Sequence, residues 1–135
     1  MAIQLSVAVR NARLDAIETA IGTSAVLKIR SGAAPANCAA ADAGTVLASI
    51  TCPSDWAGAA GSGAKALAGA WSDASADNGG TAEHFRLYAS DGTTCHMQGT
   101  VTATGGGGDL TLDTTTVVST QTVTITAFTL TDANA

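Results

Sequence analysis

HFRLYASDGTTCHMQGTV, residues 84–101, is the stretch that decides the fold class of this chain. Phe85, Leu87 and Ala89 alternate with His84, Arg86 and Tyr88, which is the period of a β-strand with one buried face. The dipeptide at residues 91–92, Asp-Gly, is typical of a tight turn, and a second strand-like run resumes after it. The stretch therefore predicts an antiparallel hairpin.

The rest of the chain after Gly22 shows the same pattern of strands and turns. Short runs rich in Val, Ile and Thr are separated by Gly, Pro, Asn and Asp, a pattern typical of strands and turns. The predicted strands are residues 25–30, 45–51, 65–72, 83–89, 94–103, 109–113 and 121–131. Seven short strands predict a small antiparallel β-sandwich or barrel. In the last run the alternation changes phase, which predicts a bulge near Ala127.

Three further segments read as connections between strands. Residues 31–44 and 72–80 are rich in small and polar residues and predict loops. Residues 105–108 are four consecutive glycines, which we interpret as a flexible hairpin connection. They lack the Gly-Lys-Ser/Thr ending of a phosphate-binding loop.

The N-terminal part of the chain is different, because its apolar residues recur at helical spacing. These residues are Val7, Leu14, Ile17 and Ile21. They predict a helix over residues 6–21 that Gly22 ends. Residues 1–5 form an extended arm in which Ile3 and Leu5 alternate with Gln4, and such an arm can pair with a neighbouring sheet edge. We interpret residues 1–135 as one domain: arm, helix, and a β-domain over residues 25–131.

Composition restricts the classes of partner. The formal net charge is -5, only 13% of residues are charged, and the six basic residues are scattered, so no basic stripe for nucleic acid is present. No apolar stretch approaches the roughly 18 residues of a membrane span, and Arg10 comes too early for a signal peptide, so we expect folding in the cytoplasm and no membrane contact. A core of small side chains gains little from burial per residue, which favours oligomerisation or docking on a partner.

The chemistry-bearing residues do not form a recognisable catalytic or metal-binding pattern. His84 and His96 lie on successive strands of the predicted hairpin and would face each other, but two histidines alone make a poor metal site. No GxSxG elbow occurs. We therefore predict a protein that is not an enzyme, with no catalytic residue, metal or cofactor.

The three cysteines, Cys38, Cys52 and Cys95, are an odd number without metal-ligand spacing. Reduced thiols are the favoured interpretation. A bridge between Cys38 and Cys52 remains an alternative if the protein ends up outside the cell.

Five residues are candidates for contact with a partner: Ile3, Leu5, Arg10, Arg13 and Trp56. Ile3 and Leu5 belong to the arm. Arg10 lies on the apolar stripe of the helix, where it is either a core-edge residue or a partner contact. Trp56 follows a turn signal and is either a core anchor, which we favour, or an exposed interface anchor.

Three long stretches carry a resemblance to a known family. They are LDAIETAIGTSAVLKIRSGAAPANCAAADAGTVLA, FRLYASDGTTCHMQGTV and GGGGDLTLDTTTVVSTQTVTITAFTLT, which begin at Leu14, Phe85 and Gly105. Together they resemble small, mostly uncharacterised virion structural proteins of tailed bacteriophages and prophages. Members share an N-terminal helix, an LKIRSG strand, an FRLY hairpin and a Thr-rich final strand.

The resemblance implies a capsid decoration, or cement, protein. Such a protein would be made in the host cytoplasm, bind the major capsid protein lattice on the capsid surface and stabilise the head. A homo-oligomer, trimer or dimer, suits the capsid symmetry axes. The alternative is a tail or tail-tip adsorption module that binds a host-surface glycan or receptor, with Trp56, Trp71 and Tyr88 as its aromatic platform.

Overall fold

A computed structural model describes residues 2–133, which fold into a mainly β structure with one N-terminal helix. This agrees with the predicted class. The elements in chain order are α1 Val7–Ile21, β1 Val26–Arg30, β2 Val46–Thr51, β3 Ala64–Ala66, β4 Trp71–Asp73, β5 Gly80–Thr81, β6 His84–Tyr88, β7 Cys95–Ala103, β8 Leu110–Leu112, β9 Thr116–Val117, β10 Val123–Ile125 and β11 Thr129–Thr131.

The centre of the molecule is a five-stranded sheet in the order β2-β1-β6-β7-β8. Its strands pair antiparallel except for β7 and β8. The predicted hairpin is confirmed as β6–β7, and Gly92 takes the positive φ of 69° that its turn requires. The Asp91 carboxylate accepts hydrogen bonds from the backbone N–H groups of Thr93 and Thr94, which fixes the turn.

The remaining strands form three two-stranded pairs, β10-β4, β11-β3 and β5-β9. The predicted seven-stranded sandwich or barrel is thus too simple a description. The predicted strand 65–72 is two strands, β3 and β4. The final run is also two, because β10 pairs with β4 whereas β11 pairs with β3. The phase change near Ala127 therefore marks the end of one strand and the start of the next, and the predicted bulge is wrong.

The core lies between the central sheet and these pairs. Four aromatic rings run through it in sequence, Trp56, Trp71, Phe128 and Phe85, with neighbouring centroids 5.5–6.1 Å apart. Leu27, Ile29 and Leu87 of the central sheet belong to the same buried cluster as Val123 and Ile125 of β10. One core therefore joins the central sheet to the strand pairs.

Helix α1 begins and ends close to where the sequence predicts. The Ser6 hydroxyl accepts a hydrogen bond from the Val9 N–H, and the Gly22 N–H donates to the Glu18 carbonyl. Only Leu14 and Ile21 of the apolar stripe are fully buried. Val7 was predicted on the buried face, but it is 47% exposed, and the first fully buried residue of the helix is Leu14.

The four glycines at residues 105–108 do not connect a hairpin. They lie in a connection of only six residues, 104–109, between parallel strands β7 and β8, where about a dozen or more residues are usual. A Cβ atom added at Gly106 would lie 2.8 Å from the Thr102 Cβ, and one at Gly108 would lie 2.9 Å from the Thr102 backbone N. The chain turns back so tightly over Thr102 that these positions leave no space for a side chain.

Candidate interaction surface and buried charge clusters

Exposed apolar side chains concentrate where the arm meets the helix, at residues 2–9, which we call the arm–helix junction. Four large hydrophobic residues are exposed in the described part of the chain, and three of them lie here: Ile3 at 84%, Val7 at 47% and Val9 at 47%. The fourth, Val118, lies far away in sequence. Leu5 is half-buried. Exposure of these apolar side chains to water is unfavourable, and contact with a partner would bury them. This segment is therefore the natural candidate for contact with a partner.

The two arginines of the helix have different roles. Arg10 is half-buried, and its Nη1 donates to the Asp132 carbonyl oxygen at 3.0 Å, so it ties the helix to the segment after β11. It is the core-edge residue of the two alternatives. Arg13 forms a salt bridge with the Asp132 carboxylate at 3.2 Å, but its side chain is 60% exposed. Arg13 can therefore take part in a contact next to the arm–helix junction.

Trp56 is not an interface residue in this fold. It is fully buried, and its indole Nε1 donates to the Gly22 carbonyl at 2.9 Å. The ring packs beneath the C-terminal end of the helix, in contact with Trp71. Its assignment as a partner contact is wrong, and the core-anchor alternative is confirmed.

The aromatic platform that a glycan-binding module needs is also missing from the surface of the described residues. Trp56, Trp71 and Tyr88 are each 0% exposed. Both phenylalanines are buried too. No aromatic face is therefore available for stacking on a sugar ring in residues 2–133, and the three residues predicted for that role cannot perform it here.

Lys65 is the centre of the first buried charge cluster, which attaches the helix to β3. Its Nζ lies 2.8 Å from Asp15 Oδ1 and 2.7 Å from Glu18 Oε2, and it also donates to the Gly58 carbonyl at 2.8 Å. Burial opposes the charge of Lys65, but the hydrogen bonds to the two carboxylates outweigh it and raise its pKa. A lysine held in the charged form is not a base, so the cluster is suited to holding the helix in place.

Arg86 and Asp42 form the second cluster, beneath residues 31–45, which we call the strap. Asp42 of the strap accepts hydrogen bonds from Arg86 Nη1, from Arg30 Nη2 at 2.7 Å and from the Tyr88 hydroxyl at 2.8 Å. Burial opposes its ionisation, but the hydrogen bonds from Tyr88 and Arg86 and the charge of Arg30 outweigh it and lower the pKa of Asp42.

Arg86 also donates to backbone carbonyls of the strap at Asn37, Cys38 and Ala40, with distances of 3.0–3.2 Å. Its guanidinium thus supplies hydrogen bonds to backbone carbonyls of an irregular segment, which has no neighbouring strand to bind them. No local sequence pattern predicted this cluster, in which Arg30 is only 5% exposed. The usable signal was the alternation of His84, Arg86 and Tyr88, which puts polar groups on one face of a central strand.

The two histidines do not meet. The register of β6 and β7 places His84 opposite Thr100, and its buried ring Nδ1 lies 2.6 Å from the Gly32 carbonyl oxygen. His96 lies near the turn and is exposed. Within residues 2–133 no group of three or more His, Cys, Asp or Glu side chains is arranged to hold a metal ion.

The comparisons with known proteins were made by family, by sequence and by structure. No family model, curated protein or solved structure matches this chain. In the described residues, the single helix falls short of the length and apolar character that crossing a bilayer requires.

Proposed function

We propose that this protein is a virion structural protein that decorates the capsid, binding the major capsid protein lattice and stabilising the head. The observation that carries the proposal is the concentration of exposed apolar side chains at the arm–helix junction, Ile3, Val7 and Val9. An extended arm of this kind can pair with the edge of a partner's sheet while its apolar side chains fill pockets on either side. The family resemblance of the sequence supports the same class.

The rest of the molecule suits a rigid module that packs against a protein lattice. The charged groups around Lys65 and Asp42 form salt bridges within the protein, and these hold the helix and the strap on the core. The low charge and small side chains allow close approach of protein surfaces. Many weak contacts on a repeating lattice would add up to tight attachment, because binding is multivalent. A homo-oligomer, trimer or dimer, placed on a symmetry axis of the capsid would increase this effect.

The surface assignment can be tested with matched acidic substitutions. Particles lacking this protein are mixed with Ile3→Asp, Val9→Asp or Val118→Asp protein, sedimented, and the bound copies counted by quantitative mass spectrometry. We expect occupancy to fall at least about tenfold for Ile3→Asp and Val9→Asp, since each buries an unpaired carboxylate in the interface. Val118→Asp, which alters a valine elsewhere that is 60% exposed, should bind as the parent does.

Loss of binding by Val9→Asp should not be the result of a folding defect. The first turn of α1 contains no acidic residue, and a carboxylate there interacts favourably with the helix N-terminus, so Val9→Asp preserves the helix. Equal occupancy of all three variants would contradict the interface.

The capsid location is tested by copy number in purified virions. A ratio to the major capsid protein within a few-fold of one supports decoration. Only a few copies per particle would contradict it and indicate the neck or tail.

A further inference from the structure

Two of the three cysteines are brought together by the fold although 57 positions separate them in the chain. Cys38 lies in the strap, and Cys95 is the first residue of β7. Both are half-buried, and burial together with the neighbouring Cys38 thiol raises the pKa of Cys95 to about 11. No local pattern predicts this pairing, because it depends on where the strap lies over the sheet.

The position of each thiol is fixed by its surroundings. Arg86 Nη2 donates to the Cys38 carbonyl oxygen at 3.0 Å and so holds this part of the strap above β6. The register of the hairpin places Cys95 opposite Tyr88, on the strand next to Arg86. The Cys95 thiol also donates to the Met97 carbonyl oxygen at 3.4 Å. The charge of Arg86 opposes the rise in the pKa of Cys95 but does not cancel it.

Cys52 is in a different environment. It is 3% exposed and belongs to the hydrophobic core, and burial raises its pKa to about 12. The Cys38–Cys52 bridge that the sequence left open is therefore not the pairing this fold favours, because Cys38 belongs to the strap over the polar face of the sheet whereas Cys52 lies in the hydrophobic core.

We propose that Cys38 and Cys95 form a disulfide under oxidising conditions, a covalent bond that ties the strap to β7. The oxidant is a low-molecular-weight disulfide such as oxidised glutathione. One cysteine thiolate attacks a glutathione sulfur, forming a mixed disulfide and releasing one glutathione thiolate. The second cysteine thiolate attacks the protein sulfur of that mixed disulfide and releases the second glutathione. The two cysteines lose two protons and two electrons, and the oxidant is reduced to two glutathione molecules.

The consequence is a strap that can no longer lift from the sheet. In the reduced protein it is held by Asp42 and by the carbonyls that Arg86 binds. The bond also closes a long loop in the unfolded chain, and such cross-links stabilise the folded state. The protein would thus be held by hydrogen bonds in a reducing cytoplasm and acquire a covalent strap after release to an oxidising medium. This inference does not depend on the proposed function.

The experiment equilibrates the full-length protein with oxidised glutathione and counts free thiols after denaturation. We expect one free thiol per chain where the reduced protein has three, and peptide mapping should find Cys38 linked to Cys95. The melting temperature should rise by several degrees and return to its reduced value with dithiothreitol.

Two variants provide the controls. Cys52→Ala should form the same disulfide and lose all free thiols, whereas Cys95→Ser should give no intramolecular disulfide and no rise in melting temperature. Three free thiols in the oxidised parent protein would overturn the proposal. So would a Cys38–Cys52 link, or glutathione adducts that persist on Cys38 and Cys95 without exchange.

Discussion

Two buried cations, Arg86 and Lys65, hold together segments that are distant in the chain, because each binds several acceptors at once. Arg86 is 1% exposed and binds both Asp42 and three carbonyls of the strap. Lys65 does the same for the helix through two carboxylates. In each case the charge lies near the partly exposed carboxylates that neutralise it, and this reduces the desolvation cost of a buried cation.

Replacing Arg86 with methionine should destabilise the protein by roughly 3–5 kcal/mol, because it leaves the strap carbonyls and Asp42 without their donor. Urea unfolding measures the change. Lys28→Met is the matched control, since Lys28 lies on the neighbouring strand, is half-buried and donates to a single carbonyl, that of Gly92. We expect a loss of about 1 kcal/mol there. Equal losses for the two variants would contradict the role given to Arg86.

Stability should also fall in alkaline solution. Burial raises the pKa of Cys52 from 9.0 to about 12, and burial together with the hydrogen bond to Asp42 raises that of Tyr88 from 10.0 to about 12. Between about pH 9 and 12 for Cys52, and between about pH 10 and 12 for Tyr88, the unfolded chain has released the proton and the folded chain has not. The free energy of unfolding therefore falls as pH rises through these windows, by at most about 1.4 kcal/mol per pH unit for each group.

Urea titrations between pH 8 and 11, in the presence of reductant, test this expectation. Cys52→Ala removes one of the ionisations that lower stability in this range, so its stability should fall less steeply with pH than that of the parent protein. The same slope in both proteins would show that the Cys52 thiol does not contribute.

At the scale of elements, the β7–β8 connection shows how a short segment permits an unusual topology. The six connecting residues return the chain to the level of Val101, so that β8 pairs parallel to β7. Hydrogen bonds fix the turn: the Gly108 N–H donates to the Thr102 hydroxyl at 3.0 Å, and the Thr100 N–H donates to Asp109 at 2.9 Å. Gly106 and Gly108 are thus required by close packing on Thr102, and Gly105 and Gly107 by their positive φ angles of 86° and 80°.

Gly106→Ala and Gly108→Ala should each destabilise the protein by roughly 1–3 kcal/mol, because an added Cβ overlaps Thr102 and the turn must shift. Gly61→Ala is the control, since a Cβ there meets nothing within 4 Å and the residue does not need a positive φ. We expect Gly61→Ala to change the free energy of unfolding by less than about 0.5 kcal/mol. A neutral Gly106→Ala would mean that the turn has room that the structure does not show.

At the scale of the whole molecule, one hydrophobic cluster joins the central sheet to the strand pairs. Trp71 of β4 contacts Phe128, which contacts Phe85 of β6 at a centroid distance of 5.7 Å. The small strand pairs, β10-β4 and β11-β3, are too short to be stable alone and gain their stability from this shared core.

Unfolding should therefore be a single cooperative transition. Tryptophan fluorescence reports on the core around Trp71 of β4 and Trp56, and far-ultraviolet circular dichroism reports on the helix and sheet, so both signals should give the same urea midpoint. Phe128→Ala, which removes the ring between the two halves of the core, should lower that midpoint for both signals together. Two separate midpoints in the parent protein would show that the strand pairs unfold independently.

The sequence by itself determined the features that depend on neighbouring residues. Ser6 and Gly22 bound the helix, and Asp91 with Gly92 sets the β6–β7 hairpin, because capping and turn formation involve groups only a few positions apart. The mainly β class followed from the alternation of residues 84–101 for the same reason.

Only the tertiary structure decided which distant groups meet. Arg86 and Asp42 are 44 positions apart and Lys65 and Asp15 are 50 apart, and no local pattern specifies such pairs. The burial of Trp56, the parallel β8 and the proximity of Cys38 to Cys95 have the same origin. Each depends on how strands from different parts of the chain are ordered in space, and many strand orders share one alternation of apolar and polar residues.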